Sequence, residues 1–221
     1  MPEALGPMSR VRSILALLLL VAGPAVADPG AFPPPGRLDY AVMRLGERIG
    51  THTVEFRRDG ESLTVATRID IEVTWLGLTL FAFHHQAQED WRDGRMVAFR
   101  STTDDDGEPR TVSATADGGH LAIVYNGQQR EAPADILPAS LWHPGTTTAT
   151  QLFDPVKGKL RQVTVTDLGS EPVEVRGAPL EAHHFSIAGG LRREVWYGPD
   201  GQVVEVRFPS KDGNWVTLVL Q

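Results

Sequence analysis

The side chains best suited to metal or proton chemistry are the seven histidines, four of which form the adjacent pairs His84-His85 and His183-His184. Imidazole is a common zinc ligand, so these pairs raise the hypothesis of a metal site. Both pairs lie in segments patterned as β-strands, where adjacent side chains point to opposite faces of the sheet. Adjacent histidines therefore cannot readily bind one ion together. Without ligands at a defined spacing, the sequence predicts no metal site.

An acidic run, Asp104-Asp105-Asp106-Gly107-Glu108, is the second candidate for metal binding. A calcium loop alternates its oxygen ligands, as in D-x-D-x-D-G, so that the chain can wrap around the ion. Three consecutive aspartates do not give that geometry. The run is instead predicted to be the solvated tip of a hairpin.

Motifs of nucleophilic catalysis are missing from the sequence, which has no cysteine, no G-x-S-x-G and no S-x-x-K. Ser140 lies close to His143, but the sequence reveals no third partner for them. We therefore expect a non-catalytic protein with no cofactor. A hydrolase with a triad assembled from separate strands stays open as an alternative, because such a triad leaves no local signature.

The N-terminal residues follow the pattern of a secretory signal peptide. Arg10 and Arg12 supply positive charge, residues 14–21 form a short apolar run, and Ala25-Val26-Ala27 supplies the small residues that signal peptidase reads. The apolar run is shorter than the roughly 20 residues that span a bilayer. We expect cleavage before Asp28 and export to the periplasm of a Gram-negative-type envelope.

Composition restricts the partners of the exported chain. It contains 19 Lys and Arg against 27 Asp and Glu, a net charge of −8. That balance argues against nucleic acid, whose phosphates demand a basic footprint, and against electrostatic docking on anionic lipid. A bacterial lipoprotein needs a cysteine after its signal, and this chain has none. We expect a free, soluble protein that is neither a lipoprotein nor an integral membrane protein.

Tight-turn dipeptides divide the remaining chain into short strands. Asp-Gly and Asn-Gly pairs favour two-residue hairpins because both residues tolerate positive φ. In residues 62–73, Leu63, Val65, Ile69 and Ile71 alternate with polar residues, which is typical of a strand with one wet face. The sequence contains seven Asp-Gly or Asn-Gly pairs, at residues 59–60, 93–94, 106–107, 117–118, 126–127, 200–201 and 212–213.

The pattern predicts an all-β fold, a single curved antiparallel meander sheet forming an open barrel or half-barrel, with one or two short helices. Residues 132–142 are the best helical candidate, although Pro133 and Pro138 limit its length. The expected organisation is a signal peptide over residues 1–27, a Pro/Gly-rich leader over 28–36 and one β domain over 37–221.

One stretch, residues 74–83, is apolar on both predicted faces. Leu76, Leu78 and Leu80 fall on one face, and Trp75, Phe81 and Phe83 on the other. A strand that is apolar on both faces must be covered on both. Either residues 132–142 lie over the second face, or that face lines a cavity for an apolar ligand.

Six segments carry a resemblance to a known family. The chain resembles a family of exported proteobacterial proteins defined as a domain of unknown function (type 6134), over residues 38–220. The segments are LDYAVMRLGERIGTHTVEF, IEVTWLGLTLFAF, EDWRDGRMVAF, LFDP, WYGPDGQVVEVRF and DGNWVTLVL.

More loosely, the chain is similar to the open half-barrels of periplasmic lipoprotein carriers, which hold acyl chains in a curved sheet. That similarity implies that Trp75, Leu78, Phe81 and Phe83 line a concave ligand-binding surface. Trp142 completes the candidate ligand-binding set.

Two hypotheses of function follow. The first is a periplasmic protein that binds or carries an apolar or envelope-derived ligand, such as a lipid or another apolar small molecule. The second is a structural or protein-interaction module of the envelope, whose partner is an envelope protein. The second hypothesis predicts an exposed apolar patch or a free sheet edge in place of a pocket.

The signal-peptide hypothesis makes a direct prediction. Protein recovered after export should begin at Asp28, because signal peptidase cuts after the small residues of Ala25-Val26-Ala27. Intact-mass analysis of the exported protein checks this. A mass that retains residues 1–27 would contradict it.

Overall fold

The computed structural model describes residues 36–221, and fifteen strands in this range join into one sheet. The strands are β1 (Gly36–Arg44), β2 (Glu47–Asp59), β3 (Ser62–Trp75), β4 (Leu78–Arg92), β5 (Arg95–Asp105), β6 (Glu108–Asp117), β7 (His120–Tyr125), β8 (Gln128–Pro133), β9 (Leu137–Pro138), β10 (Gln151–Phe153), β11 (Leu160–Val175), β12 (Ala178–Gly189), β13 (Arg193–Tyr197), β14 (Val203–Pro209) and β15 (Trp215–Leu220).

The predicted antiparallel meander is confirmed. Strands β1 to β8 pair with their sequence neighbours, as do β10 to β15, and β1 joins β15 between the two halves. Of the pairings, that of β9 with β10 is parallel. The order runs from β8 through β1 and β15 to β9, so the sheet curves into a half-barrel whose edges are β8 and β9.

Side-chain alternation sets the inner and outer faces of the sheet. In β3, Leu63 and Val65 are at most 1% exposed, whereas Arg68 on the opposite face is exposed. Asp93, Asp106 and Asn126 adopt positive φ in their turns, as the dipeptide pattern predicts. The half-barrel therefore has an apolar inner face and a charged outer face.

Residues 134–159, which include the edge strands β9 and β10, turn inward over the concave face of the half-barrel and are called the plug below. The Tyr197 hydroxyl donates to the Leu141 carbonyl at 2.7 Å, and the Ser101 hydroxyl donates to the Pro155 carbonyl at 2.7 Å. Phe153 in the plug is fully buried and packs edge-on against Phe99 of β5 at 5.1 Å. The plug thus fills the concave face from within.

The predicted helix over residues 132–142 is wrong. β8 continues to Pro133, and Leu137–Pro138 forms the short strand β9 on β10. Proline at both positions removes amide donors that a helix would need. The one helix in the described part of the chain is a 3-10 turn, η1 (Pro144–Thr148), so no α-helix forms there.

The stretch 74–83 is not one strand, in contrast to the expectation from its sequence. Leu76 and Gly77 form a turn with φ of 49° and 79°, and the two arms belong to β3 and β4. Leucine is not a turn residue, so the Leu76-Gly77 turn gave no signal of the Asp-Gly kind. The segment is the tip of a long hairpin, and its large apolar residues Trp75, Leu76, Leu78 and Leu80 are exposed.

A second long hairpin, β11–β12, covers part of the outer face. A bulge at Leu168 interrupts its ladder, and beyond the bulge the hairpin returns towards the last strand. Arg176 at its tip donates to the Gln221 carbonyl at 2.6 Å, and the Trp196 indole donates to Glu171 at 2.7 Å. Trp196 is consequently buried although it lies on the outer face.

The predicted signal peptide and most of the leader lie outside the described residues; β1 begins at Gly36, the last residue of the predicted leader. Within residues 36–221, no helix has the length and apolar character to cross a membrane.

Candidate functional site

A buried carboxylate fastens the plug to the sheet. Glu89 on β4 is 1% exposed, and its Oε2 accepts hydrogen bonds from the indole N–H of Trp91 at 3.0 Å and of Trp142 at 2.9 Å. The two indoles meet edge-on at 5.2 Å, and His143 stacks on Trp91 at 5.2 Å. The Glu89 carboxylate therefore links Trp91, on its own strand, to Trp142, in the centre of the plug.

Burial changes the protonation of this carboxyl group. Loss of solvation raises the pKa of Glu89 to about 7, against opposing effects from Ser140, Trp142 and Trp91. The Ser140 hydroxyl is itself buried, and it makes no hydrogen bond of good geometry within the described residues. Two indole donors stabilise the carboxylate, but they replace water only in part. Glu89 thus changes charge close to neutral pH.

Two histidines, His52 on β2 and His85 on β4, lie on the inner face with strand β3 between them. His85 on β4 is 3% exposed, and its Nδ1 lies 2.8 Å from the Thr103 hydroxyl. Burial lowers the pKa of His85 to about 4, and burial together with the nearby His85 lowers the pKa of His52 to about 4. The Nδ1 of His52 is buried and has no hydrogen-bond partner among the described residues.

A cation lies on the inner face of the other half of the sheet. Arg193 on β13 lies over the ring of Phe208 at 4.5 Å, and its Nη1 donates to the Arg192 carbonyl at 2.8 Å. Burial lowers the pKa of Arg193 to about 10, and Asp154 of the plug acts electrostatically on both Arg193 and His85. Asp154 forms an ion pair with Arg161, at 2.7 Å. Arg193 forms no ion pair with a carboxylate of residues 36–221.

The apolar inner face continues past these polar groups towards one end of the half-barrel, called the open end below. This end carries the turns β1–β2, β3–β4, β5–β6, β7–β8, β12–β13 and β14–β15, because strand directions alternate in a meander. Ile71, Phe81 and Phe83 are half-buried here. Lys211 in the β14–β15 turn reaches Phe81, with its Nζ 6.0 Å from the ring centre. The two halves of the sheet therefore approach each other across this end.

The structure separates the five predicted ligand-binding residues into three groups. Trp75 and Leu78 lie at the tip of the β3–β4 hairpin, 63% and 65% exposed. Phe81 and Phe83 lie at the open end on the inner face. Trp142 is 6% exposed and belongs to the plug. The first four share one hairpin, and Trp142 does not join them.

The histidine and carboxylate contacts do not form a metal site. No cluster of three or more His, Asp or Glu side chains in residues 36–221 could hold a metal ion. His184 and Ser186 both contact Glu194, at 2.9 and 3.1 Å. The carboxylate lies between the imidazole and the hydroxyl, whereas activation of a serine requires the imidazole in the middle.

Two grooves lie on the outer face of the described chain. One, of about 470 Å³, runs over β1 to β5 and is lined by polar side chains that include Glu55, Arg68 and Arg100. The other, of about 650 Å³, separates the folded-back β11–β12 hairpin from β14, β15 and β1. Neither groove is lined by a predicted ligand-binding residue.

The sequence profile of DUF6134, a domain of unknown function, matches residues 40–221. The chain belongs to the DUF6134 family. This confirms the resemblance drawn from the strand and turn motifs.

A solved structure supports the fold of this DUF6134 domain. It is the crystal structure of a β-barrel-like protein of domain of unknown function DUF1849 from Brucella abortus, 13% identical, with a TM-score of 0.59. The match covers 85% of this chain and 95% of that chain. No curated protein matches the chain.

Sequence reasoning missed the polar residues of the DUF6134 interior. Glu89 stands in a strand where Ala87 and Trp91 share its face, so its burial was readable in principle from the alternation. Its partner Trp142 is 53 positions away, and nothing local pairs them. Nothing in the sequence indicated that Arg193 lies on the inner face, since an arginine at the start of a strand is ordinarily solvated.

The Glu89 carboxyl predicts a specific pH dependence of stability. Its folded pKa of about 7 exceeds the ordinary glutamate value of 4.5, so the folded state binds the proton more tightly. Stability from this group is complete below pH 4.5 and is lost as the pH rises through 7, by about 3 kcal/mol. Glu89→Gln removes this dependence and keeps an oxygen acceptor for the indoles.

Urea unfolding of the wild type and Glu89→Gln between pH 4.5 and 8 measures the effect. The stability of the variant relative to the wild type should rise across this interval, and subtraction cancels the histidines common to both. A difference that stays constant with pH would show that Glu89 is not desolvated in the folded protein.

Proposed function

We propose that this protein is a non-catalytic periplasmic binding or carrier protein for an amphiphilic, envelope-derived ligand. The observation that carries the proposal is the division of the inner face. The plug covers the face around Glu89, whereas Ile71, Phe81 and Phe83 at the open end are left half-buried. Apolar side chains beside a few convergent polar groups are the usual composition of a small-molecule site.

The polar groups favour an anionic head group on that ligand. Arg193 is half-buried and forms no ion pair with a carboxylate of the described residues. A partly desolvated cation without a close counterion is unfavourable. An anion that enters the open end would supply that counterion. The buried, unpartnered Nδ1 of His52 offers a further polar contact. The apolar part of the ligand would then lie against Phe81 and Phe83.

The barrel-like neighbour is compatible with this proposal, since a curved sheet with one accessible end can hold a small molecule. The acidic surface keeps anionic lipid bilayers from being attracted by charge alone. A single anionic group on an otherwise apolar molecule is a different case, because it can pair with one half-buried cation, Arg193, on the inner face. Recognition therefore depends on one cation within an apolar surround.

Calorimetric titration of delipidated exported protein with oleate, and separately with oleyl alcohol, tests the proposal. Oleate should bind, and oleyl alcohol should bind roughly tenfold or more weakly, since it lacks the charge that pairs with Arg193. Arg193→Gln should reduce oleate affinity to a similar degree. Arg100→Gln removes an exposed arginine from the outer face and serves as the matched control, with affinity unchanged.

Phe83→Ser tests the apolar part of the site in the same titration, with weaker binding of both molecules expected. Failure of the wild type to bind oleate would refute the proposal. Equal loss in Arg193→Gln and Arg100→Gln would show that binding is not directed by the inner cation.

A further inference from the structure

Exposed apolar side chains concentrate at the open end. Seven large hydrophobic residues of the described chain are exposed, and six of them lie in or next to the turns of this end. Such residues scattered singly are ordinary, but a cluster marks an interaction surface. The six are Leu45, Trp75, Leu76, Leu78, Leu80 and Trp215, and the seventh, Leu168, lies at the bulge of β11.

The β3–β4 hairpin carries four of the six on a free ribbon. Pairing of β2 with β3 ends at Gly50 and Ile71, and pairing of β4 with β5 ends at Phe83 and Asp105. Residues 73–81 therefore have no flanking strand. The β3 arm contributes residues 73–75 and the β4 arm residues 78–81, so the ribbon projects by about 10 Å beyond its neighbours.

Two turns of this end, β1–β2 and β3–β4, depart from the chemistry of the other hairpin turns. Asp93, Asp106 and Asn126 occupy positive φ in their turns, and these residue types tolerate it. At the same kind of position, Leu45 and Leu76 have φ of 51° and 49° and are 70% and 80% exposed. Leucine is unfavourable there in both conformation and hydration. Neither turn is explained by the stability of the folded domain.

The ribbon is uncharged as well as apolar, and the acidic β5–β6 turn lies beside its base, where the Ala82 amide donates to Asp106 at 3.3 Å. Residues 73–81 read VTWLGLTLF and contain no charged side chain, although the exported chain is acidic overall. Lys211 lies at the base of the ribbon, is exposed, and forms no ion pair with a described residue. A neutral apolar tip with a free cation beside its base complements a lipid interface, with acyl chains below and phosphates at the level of the cation.

We propose that the open end docks on a phospholipid bilayer surface by inserting the β3–β4 tip. Trp75 and the leucines at 76 and 78 enter the interface, and Lys211 meets the phosphate groups. Insertion is shallow, because the ribbon has unpaired backbone groups along both edges that cannot enter the hydrocarbon core. Binding is driven by apolar burial, so it requires no excess of anionic lipid. The inference does not depend on the ligand proposed above.

Other occupants fit the geometry less well. A second copy of the chain would add its ribbon edge to edge, but the tip narrows to the Leu76-Gly77 turn and offers only a few residues of ladder. A folded protein partner would need a groove to receive a projecting tip. A fluid interface accepts a convex apolar tip with no matching shape. Tryptophan with leucine is also the composition favoured at the membrane boundary.

Vesicle flotation tests the proposal. The exported protein, with its N-terminus verified by mass, is mixed with vesicles of dioleoyl phosphatidylcholine and phosphatidylethanolamine. The wild type should float with the vesicles. Leu76→Asn/Leu78→Asn should lose on the order of tenfold or more of its partitioning. The first substitution places an Asn-Gly pair in the turn, which is a favoured hairpin sequence, so the variant should fold at least as well as the wild type. Leu168→Asn is the matched control and should float normally.

Quenching by brominated lipid gives an independent readout of depth. The wild type should show quenched tryptophan fluorescence, and Trp75→Phe should lose most of that quenching when the two proteins are compared at equal amounts of vesicle-bound protein. Equal flotation by the Leu76→Asn/Leu78→Asn variant would overturn the proposal. So would absence of wild-type flotation, whether the protein then forms a concentration-dependent oligomer through the tip or captures a protein partner.

Discussion

The concave face of a half-barrel must be covered, and in this protein the chain covers it with its own residues 134–159. The contact that fixes the cover is Glu89, which accepts from Trp91 and Trp142. Desolvation of a carboxylate in that position is unfavourable, and it raises the pKa of Glu89. An unpaired indole N–H in the core would be unfavourable as well. Each buried polar group thus depends on the others, and removal of one partner leaves the rest unsatisfied.

Because the plug is held at Glu89, the inner face is divided along the strands. Around Glu89 it is ordinary core, with Val65, Phe99 and Phe153 nearly inaccessible to solvent. Beyond His85 the core gives way to half-buried aromatic side chains and the inner cation Arg193. Further out, the β3–β4 ribbon leaves the sheet entirely. The proposed ligand site and the proposed lipid contact are successive levels of one end of the molecule, which suits a protein that exchanges a ligand with a bilayer.

The strands were largely predictable because their information is local. Alternation in residues 62–73 and the Asp-Gly and Asn-Gly turns define most hairpins, since side-chain parity and positive φ depend on neighbouring residues only. The Leu76-Gly77 turn was not predicted, because leucine is disfavoured at that position of a turn. This exception lies in the surface that we propose docks on lipid. The local rule failed where stability was not the only constraint.

The interior was not predictable in the same way. Residues 132–142 mix buried and half-buried positions without a clear period, and their extended form depends on pairing with β10 and on Tyr197 from a distant strand. The residue type of Trp142 alone suggests ligand binding. Its position in the plug depends on Glu89, 53 residues earlier. Contacts at that separation are determined by the closed fold and not by any segment within it.

The central claim is that the plug is a permanent part of the core and that the open end is the working surface. Amide hydrogen exchange of the purified protein, alone and with oleate or neutral vesicles, tests it most directly. We expect residues 134–159 to stay protected in all three conditions, while residues 71–83 gain protection when oleate or vesicles are added. Loss of protection in residues 134–159 on addition of either would contradict the claim, because the plug would then be a lid over an internal cavity.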